Sequence, residues 1–408
     1  MLRCGLLGEK LGHSYSPAIH ALLGDYEYKL YEVAPDALAD FLQKGAWDGL
    51  NVTIPYKKAV VPFCAELSQT ARALGSVNTL VRRPDGSIFG DNTDFFGFSQ
   101  MVRASGIRAE GEKAVVLGSG GASVTVCAVL RELGAREVTV ISRHGEDNYT
   151  NLDRHRDAAL VVNTTPVGMY PHNGESPLSL DAFPQCRGVL DIIYNPARTA
   201  LLLQAEERGI PCASGLRMLV AQAKASAQQF TGIPIPDDRI ESILKKMERS
   251  LRNIILVGMP GCGKSTVAAA LGRELGMEVV EADALIAQQA GMTIPEIFSA
   301  EGEAGFRARE TAVLAQQGKR SGIILSTGGG CVTREENYDL LHQNGTVFWL
   351  TRGLDKLPTQ GRPLSRDLGQ MYARREPMYR RFADAAVSND GSVEQTVREI
   401  RRIWEEHL

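Results

Sequence analysis

Apolar residues in this chain form short runs that alternate with segments of helical periodicity. The runs at 114–117 and 254–257 are typical of buried parallel strands, because such strands are covered on both faces. Each run leads into a glycine-rich loop, and each loop leads into a segment with apolar residues at helical spacing. Repeated strand–loop–helix units predict an α/β fold whose parallel sheets carry helices on their faces.

The residues before 110 show the same alternation in a less regular form. Ser16 and Pro17 are typical of an N-cap and a first helical position, so they predict a helix that Ser16 caps. The patterns predict strands at 3–7 and 28–33 and helices at 18–23, 36–44 and 96–104.

Residues 113–143 predict a dinucleotide-binding β-α-β unit. A strand ends at Leu117, a glycine-rich loop follows, and a helix to Leu133 leads to a second strand at 138–141. Such loops let the backbone approach a pyrophosphate, which then lies at the helix N-terminus. The loop residues that we expect to contact the cofactor are Gly118, Ser119, Gly120, Gly121 and Ala122.

The end of the second strand favours NADP over NAD. An acidic residue there binds the ribose of NAD, but this chain has Ser142, Arg143 and His144. A guanidinium suits the 2′-phosphate of NADP. The stretch from there to Arg156 is short and polar and contains no convincing helix, so the second half of this nucleotide fold is expected to be abbreviated.

A second nucleotide loop follows the strand at 254–257. Residues 258–265, GMPGCGKS, fit the G-x-x-x-x-G-K-[ST] phosphate loop without a mismatch, and a helix to Leu275 follows. We expect this loop to bind a nucleoside triphosphate, with Lys264 at the β- and γ-phosphates and Ser265 at Mg²⁺. The loop residues assigned to this nucleotide are Gly261, Cys262, Gly263, Lys264, Ser265 and Thr266.

Length and composition limit the number of domains and the classes of function that are expected. A chain of 408 residues suggests about two or three domains, and a net charge of −3 gives no support to nucleic-acid or membrane binding. No apolar run approaches the length of a membrane helix. The seven cysteines are scattered without a C-x-x-C pair, so we expect neither a zinc site nor disulfides, and a cytoplasmic location. A helix at 237–251 places a domain boundary near residue 250.

The motifs resemble two enzyme families. Residues 1 to about 250 resemble shikimate dehydrogenase through NVTIPYK, GDNTD, GSGGAS, NTTPVGM, DIIYNP and GLRMLVAQA. Residues from about 252 to the end resemble shikimate kinase through GMPGCGKST, GEAGFRARE, STGGG, GRPL and RREPMY. The resemblance implies a fused bifunctional enzyme, since the product of the first activity is the substrate of the second. Its expected fold is an α/β substrate domain (1–105 and about 215–250) with an NADP-binding Rossmann domain (106–214), followed by a P-loop kinase domain (251–408) with a parallel sheet.

For the first half, the resemblance implies reduction of 3-dehydroshikimate to shikimate by NADPH. Lys57 would donate the proton, and Asp94 would hold the reacting oxygen beside it. The nicotinamide would lie against Ile192 and Gly215. The residues implied in substrate binding are Ser14, Ser16, Thr53, Asn78, Asp94, Tyr194 and Gln222.

For the second half, the resemblance implies transfer of phosphate from Mg-ATP to shikimate. Asp283 would bind and orient the attacking hydroxyl, and Arg362 would reach the transferring phosphate from a lid that is short. Glu281 stands where relatives usually carry an aspartate that supports Mg²⁺, so we expect altered metal affinity. The substrate would also contact Arg307, Gly329, Gly330 and Arg375.

Two alternatives stay open. The first half could be an NAD-linked quinate/shikimate dehydrogenase, although Arg143 disfavours this. The chain could also be a non-catalytic ligand sensor, but a degenerate pair should have lost Lys57, Asp94, Lys264 or Asp283, and all of them are present.

Overall fold

The computed structural model describes residues 1–12, 14–357 and 368–406. The chain divides into two compact units. One consists of Met1–Met169 and Glu175–Lys245, and the other of Tyr170–Gly174 and Lys246–Leu408.

A mixed six-stranded sheet forms the first part of the first unit, with strand order β2-β1-β3-β5-β6-β4. β5 runs antiparallel to both β3 and β6, and the remaining pairs are parallel. The strands are β1 Arg3–Gly8, β2 Glu27–Glu32, β3 Gly49–Val52, β4 Glu66–Leu67, β5 Thr79–Arg82 and β6 Ile88–Asp91. The helices are α1 Ser16–His20, α2 Leu38–Lys44, α3 Gln69–Leu74 and α4 Asp94–Ser105.

Helix α1 corrects the sequence prediction at its start. It begins at Ser16 itself, and the preceding residue provides no side-chain cap, so Ser16 is not the N-cap. The Ser16 amide instead donates to Ser14 Oγ at 3.2 Å. The helix also ends at His20, because the amides of Leu22 and Leu23 bond to carbonyls three residues earlier, which tightens the last turn.

A parallel five-stranded sheet forms the second part of this unit, with order β11-β10-β9-β7-β8. Its strands are β7 Lys113–Leu117, β8 Glu137–Ile141, β9 Leu160–Asn163, β10 Gly188–Asp191 and β11 Cys212–Ser214. The helices are α5 Gly121–Glu132, α6 Ala200–Glu207 and α7 Leu216–Thr231, and the next helix, α8 Asp238–Leu251, contains the division between the units after Lys245. The strand order reverses between β7 and β9, and ligands of open α/β sheets bind at such a reversal.

The connection from β8 to β9 is abbreviated, as predicted. Across residues 142–159, all of which the structure describes, the only helical element is a 3₁₀ turn at Leu152–His155. The loop after β8 is therefore not covered by an α-helix on its way back to the sheet.

Helices α4 and α7 pack closely because Gly97 has no side chain. A methyl group at Gly97 would lie 2.6 Å from the Met218 carbonyl oxygen and 3.0 Å from Gln222 Cβ. This close approach brings the first turn of α4 and the middle of α7 to one site.

The second unit is built on a parallel five-stranded sheet of order β13-β14-β12-β15-β16. Its strands are β12 Asn253–Val257, β13 Glu278–Glu281, β14 Ile323–Ser326, β15 Gly345–Thr351 and β16 Ala385–Ser388. Its helices are α9 Lys264–Leu275, α10 Ala282–Ala290, α11 Ile294–Gly318, α12 Asn337–His342, α13 Leu368–Phe382 and α14 Val393–Glu406. All five residues of β12 are buried, so the phosphate loop starts from the centre of the sheet.

Within the described part of the chain, no helix combines the length and the apolar character that crossing a membrane requires.

Candidate active sites

An ion pair between Lys57 and Asp94 is the centre of the first site. Lys57 Nζ lies 2.6 Å from Asp94 Oδ2, and the two side chains are 19% and 10% exposed. Asp94 occupies the first turn of α4, where the positive end of the helix dipole stabilises a carboxylate. The pair is thus well shielded and still accessible to a small molecule.

Two amide side chains are fixed next to this pair. Asn78 Oδ1 accepts a hydrogen bond from the Thr93 amide at 2.7 Å, immediately before Asp94. Asn78 Nδ2 in turn donates to Gln222 Oε1 at 3.4 Å. Asn78, Gln222 and Asp94 were predicted to bind one substrate, and the fold places them together.

A buried hydroxyl and a buried amide support this group from behind. Ser226 Oγ accepts from Asn51 Nδ2 at 2.7 Å and lies 2.9 Å from the hydroxyls of Thr79 and Thr93. Tyr28 donates to Asn51 Oδ1 at 2.8 Å. Asn51 was not predicted as a site residue, although it lies two residues before Thr53, the spacing of one strand face.

Ser14 and Ser16, which the resemblance implies in substrate binding, lie just before and at the start of α1. Ser14 is half-buried and Ser16 is buried. The ring of the intervening Tyr15 lies 5.2 Å from the ring of Tyr194, centroid to centroid, so the serine segment meets the Tyr194 segment. Thr53 follows β3, and its amide donates to the Leu7 carbonyl at 2.9 Å, next to the end of β1.

The dinucleotide loop leaves β7 at the reversal of the sheet. Gly118 has φ +98°, which favours glycine, and its amide donates to the Ile141 carbonyl at 2.8 Å. Methyl groups at Gly120 or Gly121 would meet nothing within 4 Å, and no side chain caps the N-terminus of α5. The open face and the uncapped amides fit a phosphate-bearing cofactor.

The other predicted cofactor contacts follow neighbouring strands. Ser142 and the exposed Arg143 directly follow β8. Ile192 follows β10, and Gly215 lies against it, because a methyl group at Gly215 would be 2.0 Å from the Ile192 carbonyl oxygen. The two residues assigned to the nicotinamide are therefore in direct contact.

Asp191, which the sequence analysis also passed over, holds the segment that carries Ile192 and Tyr194. Its carboxylate accepts from the Asn163 side chain at 3.1 Å, the Ile193 amide at 3.0 Å and Thr199 Oγ1 at 2.7 Å. The side chain is completely buried, and this burial raises its pKa to about 7. The DIIYNP stretch contains Asp191, but only the fold shows its burial.

The phosphate loop of the second unit has the geometry that its sequence predicts. Gly258, Gly261 and Gly263 all have positive φ, between +84° and +145°. Lys264 is buried and donates to the carbonyls of Gly258 at 3.0 Å and Met259 at 3.2 Å. The lysine thus spans the inside of the loop, where phosphate oxygens are expected.

The oxygen atoms next to this loop fit Mg²⁺. Ser265 Oγ donates to Glu281 Oε2 at 3.0 Å, so a hydroxyl and a carboxylate meet there. Mg²⁺ prefers oxygen ligands, usually one or two from the protein and the rest from phosphates and water. The described residues contain no group of three or more His, Cys, Asp or Glu that could hold a metal ion.

Two buried arginines flank the glycine run after β14. Arg375 Nη1 donates to the Gly329 carbonyl at 3.1 Å, and a methyl group at Gly330 would lie only 2.0 Å from Arg307 Nη2. Arg307 and Arg375 are 6% and 3% exposed. The structure therefore brings both arginines that were expected to contact the substrate to the same glycine run.

A buried carboxylate, Glu310, completes this group and was missed in the sequence. Glu310 Oε2 accepts from Arg307 Nη1 at 2.6 Å, and the side chain is fully buried. A methyl group at Gly328 would lie 2.5 Å from Glu310 Oε1 and 2.8 Å from Asp283 Oδ1, so the two carboxylates lie on one side of the glycine. Burial raises the Glu310 pKa and the neighbouring Asp283 adds to the rise, while Arg307 opposes both. The i, i+3 spacing from Arg307 was the available signal.

Arg362, predicted to reach the transferring phosphate, lies outside the described residues.

Comparison with known proteins gives two family matches. Residues 260–405 match the model of shikimate kinase, and residues 6–80 match the model of the shikimate dehydrogenase substrate binding domain. A shikimate dehydrogenase (NADP(+)) of Clostridium perfringens is 33% identical over 265 residues, covering 60% of this chain and 97% of the relative.

Comparison with solved structures also finds shikimate dehydrogenases. A chorismate mutase/shikimate 5-dehydrogenase fusion protein from Clostridium acetobutylicum has a TM-score of 0.58 and 36% identity, covering 60% of this chain and 97% of that one. A shikimate 5-dehydrogenase from Thermus thermophilus, in complex with NADP(H) and shikimate, has a TM-score of 0.55 and 32% identity, covering 60% and 99%.

Proposed function

The chain belongs to the shikimate dehydrogenase family, and from that premise we propose that it is a bifunctional enzyme of two consecutive reactions. Residues 1 to about 250 reduce 3-dehydroshikimate to shikimate with NADPH. The rest phosphorylates shikimate with Mg-ATP to give shikimate 3-phosphate. The observation that carries the proposal is the match of residues 260–405 to shikimate kinase in a chain whose preceding part matches shikimate dehydrogenases.

In the reductase, the Lys57–Asp94 pair handles the proton. NADPH supplies the hydride when it is bound. Lys57 holds an ammonium proton against Asp94 at 2.6 Å and is the group that can pass a proton to the developing alkoxide. Asp94 then orients the lysine and accepts a hydrogen bond from the new hydroxyl.

The other residues assigned to this site hold the substrate ring in the orientation that the reaction needs. Asn78 Nδ2 donates to Gln222 Oε1, and Gln222 Nε2 donates to the Leu219 carbonyl, so the second N–H of each side-chain amide has a fixed direction and can serve a ring hydroxyl. Ser14 and Ser16 supply hydroxyl donors for the substrate carboxylate. A rigid arrangement of this kind lowers the barrier because the orientation is set before reaction.

In the kinase, the protein mainly positions groups and balances charge. Asp283 orients the attacking hydroxyl. Arg307 and Arg375 offer planar guanidinium groups that suit the shikimate carboxylate. Lys264 and the amides of its loop would hold the phosphates, and Ser265 with Glu281 would hold Mg²⁺, which would neutralise phosphate charge when bound.

The structure also contains seven cysteines, all of them free thiols. Unpaired thiols are maintained in a reducing compartment. They support a cytoplasmic location as part of this proposal.

Paired point variants test the assignment of each reaction to its half. Lys57→Ala should lower dehydroshikimate reduction by at least about 100-fold, the usual loss for a general acid, while shikimate phosphorylation continues. Lys264→Ala should do the reverse. The unaffected reaction of each variant shows that the unaltered half is intact, and binding of the nucleotide to the altered half is the control for its folding. If purified wild-type protein, saturated with both substrates, performs only one of the two reactions, the bifunctional assignment fails.

A further inference from the structure

The residues that follow β8 form a closed loop, 142–151, which holds Arg143. In a dinucleotide-binding fold, the second strand is normally followed by a helix, which fixes the loop after that strand. Here the only helical element before β9 is the 3₁₀ turn at Leu152–His155. Whatever fixes Arg143 must therefore be the side chains of the loop and of that turn.

Side-chain hydrogen bonds close the loop on itself. Asn148 accepts from the Thr150 amide at 2.9 Å and donates to the Gly145 carbonyl at 3.2 Å. Asn151 donates to the Glu146 carbonyl at 2.9 Å and accepts from the Asn148 amide at 2.8 Å. These bonds give the loop its shape, but they do not tie it to the sheet.

His155 and Asp147 provide the tie. His155 is 6% exposed, and its Nε2 lies 2.8 Å from Asp147 Oδ1. A carboxylate only accepts, so Nε2 carries the proton of this bond. The Asp147 carbonyl then accepts from the Ser142 amide at 3.1 Å. The path His155–Asp147–Ser142 ends one residue before Arg143.

Tyr149 anchors the other side of the loop. It packs with Leu152 against the core of the dinucleotide sheet. Burial raises the pKa of the Tyr149 hydroxyl, and the positive charge of Arg143 opposes that rise. Arg143 therefore extends from a loop that is fixed at both ends.

We propose that His155 and Asp147 are positioning residues for dinucleotide selection, because they hold the loop that presents Arg143 to the 2′-phosphate of NADPH. Neither residue touches the cofactor. The inference rests on the proposed use of NADPH and adds to it the device that replaces the missing helix. NADH lacks the 2′-phosphate, so loosening this loop should weaken the binding of NADPH and have little effect on the binding of NADH.

The test compares KM for NADPH and for NADH in variants of the full chain. His155→Ala should raise the NADPH KM by about fivefold, the effect of one lost hydrogen bond of average strength, and change the NADH KM by less than about twofold. His155→Gln, which keeps a side-chain N–H donor, should recover part of the NADPH affinity. Asp153→Ala, an exposed acidic residue on the same turn, is the matched control and should change neither.

A double variant separates this inference from the proposed function. If Arg143→Ala abolishes the NADPH preference, and His155→Ala adds nothing in that background, both stand. If Arg143→Ala abolishes the preference but His155→Ala alone leaves it intact, or raises both KM values equally, the positioning role is wrong and the proposed NADPH contact survives. If Arg143→Ala leaves the preference unchanged, the assignment of the cofactor contact itself is wrong.

Discussion

Gly330→Ala should separate shikimate binding from ATP binding in the kinase half. Gly330 has φ −112°, which any residue can adopt, so alanine causes no backbone strain. Residue 330 must be glycine because Arg307 lies too close to leave room for a side chain. The new methyl group would lie 2.0 Å from Arg307 Nη2, against an ordinary contact distance of at least 3.4 Å. The guanidinium must retreat by 3.4 − 2.0 = 1.4 Å.

Arg307 cannot make that retreat at low cost. Its side chain is 7% exposed, and Nη1 is bonded at 2.6 Å to Glu310, which is fully buried. A displaced guanidinium would lose the bond that we propose it makes to the shikimate carboxylate, and hydrogen bonds to charged groups contribute about 1.5–3 kcal/mol. With about 1.36 kcal/mol for each factor of ten, kcat/KM for shikimate should fall by about 10- to 150-fold.

The assay is ADP release at varied shikimate and varied ATP, together with thermal unfolding of each variant. ATP binding should change by less than about twofold, since the phosphate loop does not include residue 330. Gly391→Ala is the control for a crowding methyl group outside the glycine run, because its methyl group would displace the Gln395 oxygen that accepts from the Ser392 amide and would leave Arg307 in place. A folded Gly330→Ala enzyme with an unchanged shikimate KM, or with weakened ATP binding instead, would refute the reasoning.

Three further predictions concern the dehydrogenase half. Wild-type kcat/KM should favour NADPH over NADH by at least about tenfold, and Arg143→Ala should remove most of that preference by weakening NADPH; equal use of both cofactors by the wild type would contradict this. Gly215→Ala should lower dehydroshikimate reduction with either cofactor, because its methyl group would collide with the Ile192 backbone at 2.0 Å, while kinase activity serves as the unaffected control. Folding should raise the Asp191 pKa from its usual 3.8 to about 7, so between these values the unfolded state releases a proton that the folded state keeps. The free energy of unfolding should therefore fall as pH rises from about 4 to about 7, and Asp191→Asn should flatten that slope in chemical denaturation; an identical slope in the variant would exclude Asp191 as its source.

The strands and the nucleotide loops could be predicted because the information for them is local. The run at 254–257 predicts a buried strand by its composition, and β12 spans Asn253–Val257. The loop at 118–121 follows from glycine spacing in the same way. Helix α1 was misplaced because a competing local bond, from the Ser16 amide to Ser14, takes the place of the expected cap.

Residues whose role depends on being buried could not be identified from local sequence patterns. Glu310 and Asp191 are ordinary acidic residues in the sequence, and only the packing around them makes them buried acceptors. Asn51 meets Ser226 across 175 positions of the chain, so no local pattern relates them. The bond between His155 and Asp147 likewise joins a loop residue to a residue of the 3₁₀ turn, and no helix or strand spans both of them.

One coupled reaction tests the central claim most directly. Purified full-length protein is incubated with 3-dehydroshikimate, NADPH and Mg-ATP, and the organic products are followed by mass spectrometry. We expect shikimate 3-phosphate to form, with one NADPH oxidised and one ADP released for each molecule. With Lys264→Ala the reaction should stop at shikimate, and with Lys57→Ala it should not start unless shikimate is added. If the wild-type protein forms shikimate but never its phosphate, or phosphorylates added shikimate but never reduces 3-dehydroshikimate, the claim of two consecutive activities in this chain is contradicted.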